Sequence, residues 1–183
     1  DTPVGLAKSM GLGLIGFGRI SQAMAKKAHF GFGMKILFSD PYPPAKEVIN
    51  HFGAQECTFD EVLANSDFVA LHCPGGASTY HLINAEALKK MQPHAHLINS
   101  ARGDVIDPDA LIAALKDGTI AGAGLDVFEG EPNVPDELIA LKNTVLLPHL
   151  GSATLETRVA MGMRVIENLV AFFDGKPLRD QVV

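Results

Sequence analysis

Three polar residues stand where apolar runs end, and their types suit one kind of chemistry. The run His96-Leu97-Ile98 leads into Asn99-Ser100-Ala101-Arg102-Gly103-Asp104. Arg102 there offers a planar guanidinium fork that matches a carboxylate in two hydrogen bonds. The run ending at Leu125 leads into Asp126-Val127-Phe128-Glu129-Gly130-Glu131-Pro132, and Val145-Leu146-Leu147 leads into Pro148-His149. An imidazole titrates near neutrality and can both give and accept a proton. A carboxylate bonded to it favours the protonated ring and orients it. Arg102 as carboxylate clamp, His149 as acid/base and Glu131 as its support would together serve proton transfer at a small carbonyl or hydroxy acid. Each residue alone has a plainer alternative: Arg102 paired with Asp104, Glu131 as a solvated loop acid, His149 as a turn residue after proline.

A second constellation lies near the start. Gly16-Phe17-Gly18-Arg19-Ile20-Ser21 follows the apolar run Leu12 to Ile15 and opens a helical pattern. In that context backbone N–H groups and the helix dipole can hold a pyrophosphate. The position that is usually glycine or alanine, for close helix packing, is Ser21, which is small enough to shift the helix only slightly. Asp40 ends the next apolar run about twenty residues on, where a carboxylate accepts from both adenine-ribose hydroxyls and repels a 2′-phosphate. No arginine follows closely, so the expected cofactor is NAD rather than NADP; the alternative is that Asp40 merely caps the turn at Pro41.

These groups need a scaffold that brings strand ends to one edge, and the hydrophobic pattern supplies it. Strands are expected at Leu12–Ile15, Lys35–Phe38, Phe68–Leu71, His96–Ile98, Ala121–Leu125 and Thr144–Leu147. Helices are expected at Ile20–Phe30, Ala45–Phe52, Phe59–Ala64, Ala85–Met91, Ala110–Lys116 and Leu155–Phe173. Thr58 to Glu61 reads as a capping box, Asp107-Pro108 as an N-cap before a first-turn proline, and Asp117-Gly118 as a stop. Gly130 to Glu137, with two prolines, reads as a surface loop. Continuous apolar strands alternating with amphipathic helices imply an α/β fold, a doubly wound parallel sheet with helices on both faces. Ligands of such a sheet bind beyond the carboxyl ends of the strands.

The chain of 183 residues suits one domain with a short appendage. A net charge of -6, without a basic cluster, argues against nucleic acid and against an anionic membrane surface. With no leader pattern and no membrane-length apolar run, a soluble cytoplasmic protein is expected. Cys57 and Cys73 read as free thiols. His29, His51, His81, His94 and His96 lack metal-ligand spacing, so no metal is expected.

Taken in order, Gly16-x-Gly18-Arg19-Ile20, Asp40, Leu71-His72-Cys73-Pro74, Asn99 to Gly103, Gly124 to Phe128 with Glu131-Pro132, and Pro148-His149-x-Gly151-Ser152 resemble the D-isomer-specific 2-hydroxyacid dehydrogenases. The likeness runs from Leu6 to Val183 and is most similar to their glyoxylate and hydroxypyruvate reductases. It implies a Rossmann-type NAD-binding domain. It also implies that Arg102 binds the carboxylate and carbonyl of a 2-keto or D-2-hydroxy acid, with His149 as acid/base paired to Glu131. Arg19 and Ile20 would meet the pyrophosphate. His72, Cys73, Pro74, Ser100, Ala101 and Arg102 would line the nucleotide, and Asp126 would hold the carboxamide with Gly151 and Ser152 beside it; His149 also borders that site. Formate dehydrogenases of the superfamily differ by carrying glutamine where Glu131 stands. A different class within the family, the NAD-gated corepressors, is the alternative function.

The family carries about a hundred residues before its glycine loop, against Asp1 to Gly11 here, so most of a substrate domain is expected to be missing. Residues 1–152 would then be the dinucleotide-binding domain with the catalytic groups. Residues 153–183 would be a crossover helix and tail, ending Gln181-Val182-Val183, that packs on the absent domain. Such a fragment is expected to expose apolar surface, bind NAD and turn over slowly, and the resemblance implies a homodimer.

Overall fold

A computed structural model describes residues 7–181. The chain divides into two compact units, one ending at Pro148 and one beginning at His149.

In the first unit strands and helices alternate. β1 (Gly11–Ile15) is followed by α1 (Arg19–Lys26), which widens into a π turn over Lys27–Gly31, and then β2 (Lys35–Ser39), α2 (Lys46–His51), β3 (Ala54–Glu56) and α3 (Phe59–Ala64). After these come β4 (Phe68–Leu71), α4 (Ala85–Lys90), β5 (His96–Asn99), a 3-10 turn at Gly103–Val105 and α5 (Pro108–Asp117). β6 (Gly122–Leu125), α6 (Asp136–Ile139) and β7 (Thr144–Leu146) complete the unit. The seven strands form one sheet in the order β3-β2-β1-β4-β5-β6-β7, every neighbour parallel.

Side-chain alternation explains why the sheet is covered on both sides. Val69 and Leu71 of β4 join one buried cluster with Val62, Leu88, Leu97 and Leu111, while Ala70 between them joins another with Leu14, Ile36 and Phe38. Successive residues of a strand point to opposite faces, so each cluster is the floor of one helical layer. Each fully buried Leu, Ile or Phe contributes roughly 1.5–3 kcal/mol relative to exposure. Phe17, at the exit of β1, stacks on Phe38 at 4.3 Å and holds the glycine turn to this second core.

The expected caps form. Glu61 N–H donates to Thr58 Oγ1 at 3.2 Å while Thr58 N–H donates to Glu61 Oε2 at 2.8 Å. Asp107 Oδ1 accepts from the N–H groups of Asp109 and Ala110, and Gly118 closes α5 at φ +79°. Three features differ from the sequence expectation. β3 is a short polar edge strand, Ala-Gln-Glu, with no apolar run to announce it. The helix expected over Ile20–Phe30 changes pitch at Lys27. The loop Gly130–Glu137 runs into the one-turn α6, which buries Leu138.

The register decides where the site lies. Ser39, Ile15 and Leu71 are level across β2, β1 and β4, and Asn99 and Leu125 continue the row across β5 and β6, with Leu146 of β7 beside Leu125. The residues that follow, Gly16, Asp40, His72, Ser100 and Asp126, therefore leave the sheet along one edge. The strand order reverses between β1 and β4, the point at which open α/β sheets bind ligands.

The second unit is α7 (Leu155–Phe173) with a returning tail. Thr154 caps it by accepting from Thr157 N–H at 3.2 Å. The tail comes back through Asn168, whose Nδ2 donates to Asp180 Oδ2 at 2.9 Å. Within this unit one helix and one tail offer no core for Val159, Met163, Ile166 and Val170. Val182 and Val183, part of the apolar end noted in the sequence, lie outside the described residues, as do Asp1 to Leu6. Among the described residues no helix is long and apolar enough to cross a membrane.

Candidate active site

The first part of the site is a cleft at the strand-order reversal. Gly16 sits at φ +91°, and a Cβ there would stand 2.9 Å from the carbonyl carbon and oxygen of His72. Only glycine lets the turn after β1 pass this close to the chain leaving β4. Gly18 is the N-cap of α1 and supplies no side-chain cap, and the space its Cβ would enter is open. The first turn of α1 therefore presents uncapped N–H groups, with Arg19 and Ile20 exposed, which is the local geometry for an anion.

Asp40 is tied into the same turn. Its Oδ2 accepts from Phe17 N–H at 2.6 Å and its Oδ1 from Tyr42 N–H at 2.8 Å. The carboxylate thus caps the turn at Pro41 and also fixes the glycine loop to the end of β2. Each oxygen keeps acceptor capacity beyond its one backbone donor. Ser21 is wholly buried and its hydroxyl has no hydrogen-bond partner.

The cleft has a volume of about 480 Å³, within the range of small-molecule sites. Gly16, Gly18, Asp40, His72, Cys73 and Pro74 line it, all named from the sequence. Tyr42, Phe59, Ser78, Thr79 and Leu82 line it as well. These were missed because they come from two loops and a helix start that carry no nucleotide-binding motif. Burial pushes the His72 imidazole below its ordinary pKa, and burial, aided by Asp104 and Asp40, pushes the Cys73 thiol up. Both groups therefore stay neutral in the cleft at pH 7. A bare glycine turn, an uncapped helix start and a terminal carboxylate, arranged around this volume, fit an NAD molecule.

The second part follows β5 and β6. Asn99 is buried, and its side chain folds the next three residues back on themselves. Nδ2 donates to Arg102 O at 2.9 Å, and Oδ1 accepts from Ala101 N–H at 3.0 Å. Asn99 O accepts from Asp126 N–H at 2.9 Å, which joins the two strand exits. The turn carries Ser100 and Ala101 and leaves the Arg102 side chain exposed, with Nη1 donating to Ala101 O at 2.6 Å. Asp104 accepts from Gly76 N–H at 2.9 Å through Oδ2.

Gly103 brings the Arg102 turn against the loop that carries Glu131. A Cβ on it would lie 2.0 Å from the carbonyl carbon of Phe128 and 2.3 Å from Glu129 N, so these two backbones are in direct contact. The loop beyond is turned by Glu131, whose Oε1 accepts from Phe128 N–H at 2.9 Å. Asp126, at the start of that loop, is 8% exposed. His149, Gly151 and Ser152 belong to the second unit, where His149 stands at φ +55°. Among the described residues no group of three or more metal-ligating side chains assembles.

One constellation had no signal in the sequence. Tyr80 Oη donates to Glu129 Oε1 at 3.0 Å, and His81 Nε2 lies 2.8 Å from Glu129 Oε2. Nothing in the spacing of residues so far apart announces the pairing.

The family described as D-isomer specific 2-hydroxyacid dehydrogenase, NAD binding domain, matches residues 3–151. The chain belongs to this family. A glyoxylate reductase of Thermococcus litoralis is 53% identical over 171 residues, 92% of this chain and 50% of the relative. A glyoxylate/hydroxypyruvate reductase B of Erwinia tasmaniensis is 51% identical over 166 residues, 90% and 51% of the respective chains. Among solved structures, a glyoxylate reductase from Paecilomyes thermophila superposes with a TM-score of 0.90 at 38% identity, covering 96% of this chain and 53% of that one. The holo form of Rhodotorula graminis D-mandelate dehydrogenase gives 0.89 at 39%, covering 93% and 50%. The chain thus spans about half the length of the relatives it matches. Its cofactor is NAD, as the family description states, and the fold is the dehydrogenase Rossmann type. The relatives named here are reductases and dehydrogenases, and nothing in them favours a corepressor.

Proposed function

We propose that this chain is the cofactor-binding and catalytic half of a reductase that interconverts a small 2-keto acid, glyoxylate or hydroxypyruvate foremost, with its D-2-hydroxy acid. The observation that carries this reading is the contact of Gly103 with the Phe128–Glu129 peptide, which sets the Arg102 turn beside the Glu131 loop at the edge that also holds the cofactor cleft. Reductase names among relatives about 50% identical support the substrate class.

Gly16, Gly18, Arg19, Ile20 and Asp40 would hold the pyrophosphate and ribose of NAD, and Asp126, with Ser100 and Ala101, the nicotinamide end. When bound, the cofactor supplies or takes the hydride at C2. Arg102 binds the substrate carboxylate through its two-pronged fork and holds the carbonyl in line. His149 delivers a proton to the carbonyl oxygen during reduction and takes it back during oxidation. Glu131 favours the protonated imidazole in the reducing direction and orients the ring. Discrimination against NADP rests on Asp40, whose charge opposes a 2′-phosphate. We further propose that a second domain completes the substrate pocket against residues 153–183, and that the full protein works as a cytoplasmic homodimer.

Following NADH oxidation by the full-length protein with glyoxylate and hydroxypyruvate tests this. Turnover is expected with both, and R102Q, E131Q and H149Q should each lower kcat/KM by about 100-fold or more while NADH still binds. Tight NADH binding without turnover on any small 2-keto acid sinks the proposal.

A further inference from the structure

Tyr80, His81 and Glu129 have no part in the reaction as assigned, yet they form a closed polar cluster on the loop that carries Glu131. Both carboxylate oxygens of Glu129 are engaged, by Tyr80 at 3.0 Å and by His81 at 2.8 Å, and the Tyr80 and His81 rings stack at 3.9 Å, 14° from parallel. The two partners in the ion pair are still 28% and 31% exposed. A carboxylate that water could solvate needs no such clamp, and ordering three side chains costs entropy. His81 also holds the left-handed backbone region at φ +49°, a conformation a side chain keeps only where its surroundings impose it.

Those surroundings are the two loops of the site. His81 N–H donates to Asp104 O at 2.9 Å and Ile83 N–H to Val105 O at 3.0 Å, and Ile83 pairs in parallel with Ile106. The strip 81–83 is therefore laced to the segment that follows Arg102. On its other side that segment meets the Phe128–Glu129 peptide at Gly103. Two residues beyond Glu129 stands Glu131, which closes its own turn on Phe128 N–H at 2.9 Å. The Glu129 side chain is the strap that fastens the outer edge of this loop to the strip below.

We propose that Tyr80 and His81, acting through Glu129, are positioning residues that hold the Glu131 carboxylate for the proton-transfer step. This role rests on the function proposed above for Glu131. Release of the strap lets the Phe128–Glu131 turn swing from the Arg102 segment, and a misplacement of about 1 Å at a reacting group can cost about 100-fold in rate. Of the strip 81–83 only Leu82 lines the cofactor cleft, and the substitutions leave it in place, so the affinity for NADH is kept.

The test is a variant series in the full-length protein, reading kcat and KM for glyoxylate, the NADH dissociation constant, and the pH profile of kcat/KM. E129A is expected to lower kcat about 100-fold with NADH affinity unchanged, and its pH profile should take the shape of that of E131Q. E129Q should recover most of the loss, since its amide oxygen still accepts from Tyr80 and its NH2 can donate to the imidazole. Y80F, which removes a single hydroxyl and spares the fold, should lower kcat about five-fold. The double variant E129A/E131Q should be no slower than E131Q, because a residue acting through Glu131 has nothing left to position. Multiplying losses in the double variant, or an E129A or Y80F indistinguishable from wild type while E131Q is impaired, overturns the positioning role alone. Wild-type turnover with an unimpaired E131Q overturns the reading of Glu131, and a wild type without turnover on any 2-keto acid overturns both.

Discussion

Alanine at position 103 would place its Cβ 2.0 Å from Phe128 C, 2.2 Å from Phe128 O and 2.3 Å from Glu129 N. All three are backbone atoms, so no rotamer change relieves the clash. Restoring ordinary contact near 3.4 Å requires the Phe128–Glu129 peptide to retreat by about 1.4 Å from the Arg102 turn. Overpacking of this kind costs roughly 1–3 kcal/mol. For a domain of this length each 1 kcal/mol lowers its Tm by about 2–4 °C, so the transition of this domain in Gly103→Ala should lie about 2–12 °C below wild type. The same retreat carries Glu131 away from Arg102, and kcat/KM for glyoxylate should fall by about 100-fold. NADH affinity should change less than turnover, because the glycine turn and Asp40 lie in a cleft whose lining does not include Gly103. Thermal unfolding by circular dichroism, NADH fluorescence titration and steady-state turnover of the full-length protein read the three quantities. An unchanged Tm with full turnover would refute the contact; a lower Tm with full turnover would refute its catalytic reading.

Further perturbations address the cofactor side. Ser21→Ala removes a buried hydroxyl that has no partner and should stabilise the fold by about 1 kcal/mol in urea titration, whereas a clear loss would show that the hydroxyl is satisfied. Asp40→Ala deletes the acceptor of two backbone donors in the glycine turn; NADH affinity measured by calorimetry should drop about tenfold or more and the preference over NADPH should narrow. The buried His72 has its pKa lowered by desolvation, so between that value and the ordinary one of about 6.5 the unfolded chain binds more protons than the native one. Stability contributed by neutral His72 is complete above about pH 6.5 and is lost as pH falls through the native pKa. Urea midpoints should therefore decline on acidification, with a shallower decline in His72→Gln; parallel curves would assign the loss to other groups.

Local rules made much of this protein legible from its residues. The apolar runs of β1, β4 and β6 are buried or half-buried on both faces, and those of β2 and β5 bury one face fully and the other in part, so their composition announces them without knowledge of neighbours. Thr58, Asp107 and Gly118 act on backbone groups a few residues away, and the glycine turn and Asp40 follow from the same short-range logic. Arg102 and Glu131 became candidates because residues that follow apolar strands emerge at the ligand edge of a parallel sheet. What chain order alone did not contain was which backbones touch. β3 escaped notice because an exposed edge strand needs no apolar signature. The contact of Gly103 with Phe128, and the clamp of Tyr80 and His81 on Glu129 across 48 or more positions, arise only when separate crossovers bring distant loops to one place. Pattern along a chain reports what each segment buries, whereas the partner of a polar side chain is chosen by the tertiary path that delivers it.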